Sequence, residues 1–474
     1  MSHQGVPMPV DDLPIVLDRA AAEPLAVQVA DALRAAASTG ALRVGDRLSS
    51  TRELAARLGV SRTVTAAAYD QLLAEGWLAG RRGSGTFVTA APPAGGAVGS
   101  SQPAGRPCTP GPGVQSLDLN AGRPCLEVLD RSAWRRAWRA SADRAPADAP
   151  EYAGDRAFRQ AVVDHLLRHR GLAAPADQLL ATSGATSGLA EVAALLPAGA
   201  KVAIEEPGYQ RAATALDAAG LRVLPAPVDQ DGVRVDALPT GLAAVYCTPA
   251  HQFPLGSRLS ASRRMELIRR ARADGFLVIE DDYDGELRYD VAPLPLLAAL
   301  GPDVVVHLGT ASKLLTPSLG VGWMVAPEPL HQRLLAARNA CGIRPAPAGQ
   351  LVFTAFAEYG DLARHLRRLR RELAERRELV VATLHRAGLE VLGDVAGAHL
   401  RVPLPSAEAE RAVVETAARA GVTVPGLRDY HRGPATVFGV SIGYPAVTRP
   451  QLQHAVAVVA ETAATLTGHG TAGT

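Results

Sequence analysis

From residue 117 onward the sequence alternates short apolar runs with helical stretches, and this alternation constrains the fold more than any other feature. The runs are Leu179-Leu180-Ala181-Thr182, Lys201-Val202-Ala203-Ile204, residues 243–247, Phe276-Leu277-Val278-Ile279 and Val304-Val305-Val306-His307-Leu308. They are near-continuously apolar, as strands covered on both faces are. Residues 158–167, closed by Arg170-Gly171, read as one of the helices between them. The expectation is an α/β domain built on a mostly parallel sheet with helices on both faces. Ligands of such sheets bind beyond the carboxyl ends of the strands. Polar clusters fall at those ends: Ser183-Gly184-Ala185-Thr186, Glu205-Glu206-Pro207-Gly208-Tyr209, Thr248-Pro249-Ala250-His251, Glu280-Asp281-Asp282-Tyr283 and Gly309-Thr310-Ala311-Ser312-Lys313.

The last cluster carries a compositional signal. The chain has 49 lysines and arginines together, and only Lys201 and Lys313 are lysine. A chain that writes its positive charge as arginine keeps a lysine where an amine is needed. An ammonium can lose its proton and attack a carbonyl, whereas a guanidinium cannot. Lys201 opens a strand and reads as an ordinary snorkelling surface lysine. Lys313 follows a buried strand and the small hydroxyl residues Thr310 and Ser312, which suit a phosphate cradle.

The other clusters fit the same chemistry. A helix opened at Gly184, Ala185 and Thr186 presents free amides and a positive dipole end to an anion. Asp281, at the end of an apolar strand, is a buried acid in need of a cationic partner, which a protonated pyridine nitrogen supplies. Tyr283 can donate to a phenolate oxygen, Tyr209 can stack on a flat ring, and Lys313 can form the imine. Together they make a pyridoxal 5'-phosphate constellation. A nucleotide-binding sheet is the competing reading, but no G-x-x-x-x-G-K-[ST] and no G-x-G-x-x-G follows any of these apolar runs in support.

The first ninety residues are organised differently. Residues 24–37 carry a helical stripe, ended by Gly40 and Gly45. Ser49, Ser50 and Thr51 offer caps for a helix over 52–58, ended by Gly59, and Ser61 caps a second helix reaching about Glu75. Two helices joined by Leu58-Gly59-Val60-Ser61 make a helix-turn-helix, whose second helix meets base edges with its first turn, here Ser61-Arg62-Thr63. Trp77-Leu78 and Phe87-Val88 flank a basic, glycine-rich tip, Arg81-Arg82-Gly83-Ser84-Gly85, that reads as a hairpin wing. Residues 40–88 hold seven arginines against four acids, a local excess of +3 in a chain whose net charge is +2. Any nucleic-acid contact is therefore a local patch rather than a property of the whole molecule.

Between the two parts, residues 90–116 are rich in Pro, Gly, Ala and Ser with no apolar period, as in a flexible tether. The expected division is 12–89 for DNA binding, 90–116 as linker and 117–474 for the α/β domain. The four cysteines, Cys108, Cys125, Cys247 and Cys341, form no C-x-x-C pair, which argues against a zinc ribbon and a disulfide framework. No apolar run has membrane-spanning length, and Asp11 and Asp12 stand where a secretory signal would be basic, so the cytoplasm is the expected compartment.

Residues 47–55 with Leu58-Gly59-Val60-Ser61-Arg62-Thr63-Val64, Glu75-Gly76-Trp77-Leu78 and Gly83-Ser84-Gly85-Thr86-Phe87-Val88 resemble the winged helix of the GntR regulators. The resemblance implies that Arg52, Ser61, Arg62 and Thr63, with Arg82 and Gly83 on the wing, face DNA. In the larger part, Glu206-Pro207-Gly208-Tyr209, Thr248-Pro249-Ala250-His251-Gln252-Phe253-Pro254, Glu280-Asp281-Asp282-Tyr283-Asp284-Gly285-Glu286, Gly309-Thr310-Ala311-Ser312-Lys313 and His365-Leu366-Arg367-Arg368-Leu369-Arg370 resemble the MocR subgroup. Its large domain is similar to fold-type I aminotransferases. The resemblance implies a transcription factor that uses pyridoxal phosphate as sensor chemistry. It further implies a homodimer whose DNA-binding domain packs on the partner's large domain. Regulation of vitamin B6 synthesis or of amine metabolism, in answer to a small-molecule effector, goes with it.

Three positions depart from the pattern. Ser49 stands where the GntR regulators have proline. Gly320 stands seven residues after the lysine, where the family has an arginine that grips the cofactor phosphate. Ser441, in Val440-Ser441-Ile442-Gly443-Tyr444, occupies the slot of the aminotransferase arginine that binds a substrate carboxylate. The expectation is a regulator with little or no transaminase turnover. An active aminotransferase with an appended domain, and a regulator that has lost the cofactor, are the alternatives.

Overall fold

The computed structural model of the chain describes residues 13, 15–21, 23–38, 41–81, 85–89, 116–289 and 295–466. The expected linker at 90–116, with Cys108, therefore lies outside the described residues except for Ser116. The chain divides into two compact units, residues 1–109 and 110–474.

In the smaller unit, helices α1 (Leu25–Ser38), α2 (Thr51–Leu58) and α3 (Arg62–Ala74) precede an antiparallel pair, β1 (Leu78–Arg81) and β2 (Gly85–Val88), in register Leu78↔Val88. Ser50 is the cap that α2 uses. Its hydroxyl accepts from the Glu53 amide, and the Glu53 carboxylate accepts from the Ser50 amide at 2.8 Å. This reciprocal pair satisfies two donors that a helix start otherwise leaves free. Gly59 ends α2 with a φ of 62°, a left-handed turn that glycine adopts without strain. Thr65 then donates to the Thr51 carbonyl at 2.8 Å, and Tyr69 donates to that of Ser49 at 2.8 Å, fixing α3 against α2. Ser49 contributes through its backbone, so the missing proline costs the helix start nothing visible. Val29, Leu33, Leu42, Leu54, Ala68, Leu72 and Val88 form the core of this unit.

The larger unit begins with β3 (Leu117–Asp118), α4 (Arg131–Ala142) and α5 (Arg156–Arg170). The α/β succession follows as β4 (Leu179–Thr182), α6 (Ala185–Ala194), β5 (Lys201–Glu206), α7 (Gln210–Ala218), β6 (Arg222–Asp229), β7 (Gly232–Val233), β8 (Leu242–Cys247), α8 (Ala261–Asp274), β9 (Leu277–Asp282), α9 (Leu297–Leu300), β10 (Val305–Thr310) and β11 (Gly322–Val325). Helices α10 (Glu328–Cys341), α11 (Pro347–Glu358) and α12 (Asp361–Arg386) lead to a terminal layer of β12 (His399–Pro403), α13 (Ala407–Arg419), β13 (Val422–Thr423), β14 (Gly439–Gly443) and α14 (Arg449–Leu466).

Among the described residues the sheet runs β4-β11-β10-β9-β8-β5-β6-β7. Strands β10, β9, β8, β5 and β6 are parallel neighbours, whereas β11 lies antiparallel between β10 and β4. The sheet is thus mostly parallel, as expected, with β11 an addition that the apolar runs do not announce. The strands also outrun their apolar segments, because Glu205, Asp281 and Thr310 remain paired and buried at the carboxyl ends. Side-chain alternation divides each strand between two cores. Ala203, Val245, Val278 and Val305 pack beneath α5, α8 and α11. Val202, Ile204, Ala244, Tyr246, Ile279 and Val306 pack beneath α6, α7 and α10.

One buried ion pair ties α5 to the site strand. Arg170 donates from Nε and Nη2 to the two oxygens of Asp282, each at 2.7 Å, and both side chains are 1% exposed. Removing one partner strands a buried charge, which costs about 3–5 kcal/mol. Arg170→Ala is therefore expected to lower the guanidinium midpoint of the larger unit by that equivalent. A midpoint within error of the unaltered protein overturns this assignment.

Candidate functional site

The smaller unit carries its chemistry on the first turn of α3. Ser61 sits at the N-cap with extended backbone, but its hydroxyl makes no capping bond, contrary to the sequence expectation. It is exposed together with Arg52, Arg62 and Thr63. These four residues are outward-facing, while Thr65, Ala68 and Tyr69 on the same helix are buried. Arg82 and Gly83, expected on the wing tip, lie outside the described residues.

The larger unit carries a cavity of about 700 Å³ at the carboxyl ends of its parallel strands. All nine residues expected to hold the cofactor line it: Gly184, Ala185, Thr186, Tyr209, Asp281, Tyr283, Thr310, Ser312 and Lys313. Close packing sets their places. A Cβ on Gly309 would lie 2.0 Å from the Trp323 ring nitrogen, and one on Gly322 would lie 2.7 Å from the Gly184 Cα. Only glycines at these two points let β10, β11 and the start of α6 close on one another. The first-turn amides of α6, at Ala185 and Thr186, have no acceptor within the helix and stand at the cavity wall. Thr310 Oγ1 donates to Ser312 Oγ at 3.0 Å and accepts from the Ser312 amide at 3.2 Å, which aligns both hydroxyls on the same loop.

Asp281 and Lys313 set the electrostatics. Asp281 is buried; its Oδ2 accepts from the Tyr246 hydroxyl at 2.5 Å, and its Oδ1 meets no partner among the described residues. Burial pushes its carboxyl up to about 6, against the opposing effect of the Tyr246 bond. Burial likewise pulls Lys313 below the usual amine range, while Asp281 and Asp284 oppose that shift and Arg211 adds to it. The Lys313 amine donates to the Gly122 carbonyl. Glu205, next along the strand ends, accepts from the Thr248 amide and hydroxyl at 3.1 and 2.6 Å and is raised to about 7 by burial.

The two tyrosines have different surroundings. Tyr283 spends its hydroxyl on the His251 carbonyl, at 3.0 Å. Tyr209 meets Phe253 edge-on, with ring centroids 5.8 Å apart, and keeps its place on the cavity wall. Sequence reasoning missed Tyr246, which hides as the penultimate residue of an apolar strand, and Asn120, Gly122, Arg211 and Tyr430, which reach the cavity from loops and helix starts. Gly320 is not on the cavity wall; it ends a short turn with a φ of 56°. Ser441 is fully buried in β14, opposite Arg401, and also lies off the wall.

This fold and site define a winged helix joined to an aminotransferase-like domain. Residues 25–88 match the family described as bacterial regulatory proteins, gntR family, and residues 114–459 match aminotransferase class I and II. The chain is 36% identical to the HTH-type pyridoxine biosynthesis transcriptional regulator PdxR of Corynebacterium glutamicum, over 91% of this chain and 94% of that one. It is 32% identical to the probable rhizopine catabolism regulatory protein MocR of Rhizobium meliloti, over 78% and 79%. Among solved structures, the Pyrococcus horikoshii kynurenine aminotransferase matches with a TM-score of 0.68 at 23% identity, covering 76% of this chain and 92% of that one. An archaeal alanine:glyoxylate aminotransferase matches with a TM-score of 0.69 at 22% identity, covering 74% and 91%. These two share the fold. The chain belongs to the MocR-type branch of the GntR family, DNA-binding transcription regulators with an aminotransferase-like domain.

The raised carboxyl of Asp281 makes a testable pH dependence. Its folded value, about 6, exceeds the ordinary 3.8. Between those values the folded state keeps a proton that the unfolded chain has released, so the contribution of Asp281 to stability falls as pH rises through this window. Asp281→Asn keeps an acceptor for Tyr246 and removes the charge. Without added ligand, the variant is expected to be more stable than the unaltered protein above about pH 6, by up to about 3 kcal/mol, with the difference closing below about pH 4. Denaturation midpoints at four pH values measure it; parallel pH profiles would refute it.

Proposed function

We propose that this chain is a cytoplasmic, homodimeric transcription regulator that holds pyridoxal 5'-phosphate at Lys313 and binds operator DNA through its winged helix. The observation that carries this reading is one cavity walled by a half-buried amine, a buried carboxylate with one oxygen unpartnered among the described residues, and the open start of a helix. The donor set fits the group on chemical grounds. When bound, the cofactor supplies a carbonyl carbon for covalent attachment to the Lys313 amine and a ring nitrogen that carries positive charge.

The residues have distinct tasks in this reading. Lys313, drawn below the usual amine range, holds a larger share of the neutral nucleophile than an exposed lysine. Asp281 would meet the positive charge of the ring nitrogen, with Tyr246 orienting the carboxylate. Tyr209 and Tyr283, both on the cavity wall, would flank the cofactor ring. The amides at Gly184, Ala185 and Thr186 and the hydroxyls of Thr310 and Ser312 take the phosphate. Residues 12–89 bind the operator, residues 90–116 tether, and residues 117–474 sense. The winged helix rests on the large domain of the partner in the dimer. A small-molecule effector enters the same cavity, and the regulated genes serve vitamin B6 or amine metabolism, a choice supported by the pyridoxine and rhizopine regulators among the relatives. Ser441 leaves a substrate carboxylate without its arginine, so transaminase turnover is negligible.

Two experiments test this. Arg62, exposed on the first turn of α3, is expected to read a base edge, so Arg62→Ala loses about 1–3 kcal/mol of affinity for the cognate operator. Equal affinity in a gel-shift or fluorescence titration would remove Arg62 from the interface. The second is titration of the cofactor-free protein with pyridoxal 5'-phosphate, followed by visible absorbance and by borohydride fixation with peptide mass analysis. Attachment is expected at Lys313 and nowhere in Lys313→Ala. Neutral hydrogen bonds contribute about 0.5–1.5 kcal/mol against about 1.5–3 for those to a charged group, so the phosphate is held weakly without an arginine at Gly320. Gly320→Arg is expected to tighten binding several-fold. It also lowers the melting temperature slightly, because residue 320 has left-handed backbone. A protein that takes up no cofactor at saturation is a regulator with a degenerate site.

A further inference from the structure

Behind the cavity wall, three chemistry-bearing side chains meet that the reading above leaves unused. His251 lies in the loop after β8, Asp284 lies just beyond β9, and His399 opens β12. They are 2%, 2% and 1% exposed. The two imidazoles are tilted at 44° with ring centroids 4.5 Å apart. His251 Nδ1 lies 2.9 Å from Asp284 Oδ2.

The proton positions follow from the partners. A carboxylate only accepts, so His251 Nδ1 carries the hydrogen and Nε2 keeps a lone pair. His399 bonds to the backbone of Pro254, which offers only a carbonyl, so that ring nitrogen donates too. The remaining atoms, His251 Nε2, His399 Nε2 and Asp284 Oδ1, are buried and meet no hydrogen-bond partner among the described residues. Each of the three residues thus carries a buried acceptor that no donor among the described residues satisfies.

We propose that His251, Asp284 and His399 form a binding site for a divalent transition-metal ion of zinc-like softness. A ligand atom from each of the three lies within 4.8 Å of those of the other two. Bonds to zinc of about 2.0–2.2 Å are reached by small rotations of the rings. Two imidazoles and one carboxylate favour zinc and its neighbours over magnesium or calcium, which take oxygen ligands. The ring N–H to carboxylate and ring N–H to backbone carbonyl bonds are the outer contacts that orient metal-binding histidines. Backbone encloses the pocket: a Cβ on Gly397 would lie 2.4 Å from His251 Nδ1 and 2.5 Å from Asp284 Oδ2, and one on Gly256 would lie 3.3 Å from His251 Nε2. Occupancy reaches the cavity through two contacts. The His251 carbonyl holds the Tyr283 hydroxyl, and His399 packs on Phe253 with ring centroids 5.4 Å apart. The metal therefore stiffens two cavity walls without touching what the cavity binds.

The test is zinc content of the full chain, expressed with zinc chloride in the medium and freed of loose metal by gel filtration. About one zinc per chain is expected by mass spectrometry of the elements. His399→Ala and Asp284→Asn are expected to retain less than a tenth of that with far-ultraviolet dichroism unchanged, whereas Cys341→Ser, which removes an exposed thiol, keeps it all. X-ray absorption of the unaltered protein is expected to show nitrogen and oxygen scatterers with an imidazole signature, a readout that stands even where a variant does not fold. Zinc content in the unaltered protein no higher than in His399→Ala, or a sulfur shell around the zinc, overturns the proposal.

Discussion

Asp281 is a carboxyl group taken out of water with one oxygen on a tyrosine and the other without a partner among the described residues. Such a group is stable only because the rest of the larger unit holds it in place. Strand β9 is flanked by parallel neighbours on both sides, so its register is fixed along its length. The adjacent Asp282 faces the opposite core and is clamped by Arg170 from α5. Two consecutive acids therefore do opposite things. Asp282 is neutralised within the protein and holds structure, while Asp281 is left short of a cation and faces the cavity. The fold secures the second by completing the first.

Much of this was legible in the sequence, for a physical reason. Buried parallel strands must be apolar, so polar residues at their carboxyl ends stand out, and topology forces those ends to one side of the sheet. Gly184, Asp281, Tyr283, Thr310 and Lys313 could be grouped before any coordinate was known. Tyr246 could not, because a tyrosine in an apolar strand reads as core until the neighbouring strand is in register. Strand β11 escaped because Gly322-Trp323-Met324-Val325 is too short for a period to show, and its place beside β10 depends on Gly309 yielding to the Trp323 ring. Ser61 was expected to cap α3 through its side chain, yet its hydroxyl makes no cap bond and the residue is exposed. Loop residues such as Asn120 and Tyr430 carry no periodic signal at all.

The two units answer different physical demands. DNA binding asks for exposed cationic and hydroxyl groups on a rigid helix, and the small unit supplies rigidity from a compact core and a reciprocal cap while leaving Arg52, Arg62 and Thr63 outside. Sensing asks for a cavity whose occupancy changes its own energetics. In the proposed reading the cavity of the large unit would meet that demand through cost: burial disfavours charge on both Asp281 and Lys313. A ligand that meets the carboxylate with a cation and takes up the amine removes both penalties together. The free energy gained on binding thus comes partly from relief of strain already present in the empty site, and such relief is differential between the two states, as any ligand-driven switch requires.

Gly320 bears on how that switch is set. In the proposed reading an arginine there would add a charge-assisted bond to the phosphate, made equally in every conformation that keeps the phosphate bound. Affinity of that kind tightens binding without shifting a conformational balance. The glycine instead relaxes the turn after Pro317–Leu319 into a left-handed form that costs it nothing. In the proposed reading, Asp281 and Lys313, whose charges burial disfavours, are the groups a ligand would relieve. Weak uniform binding combined with strong local coupling lets occupancy follow concentration while still reporting it, which suits a regulator better than a catalyst.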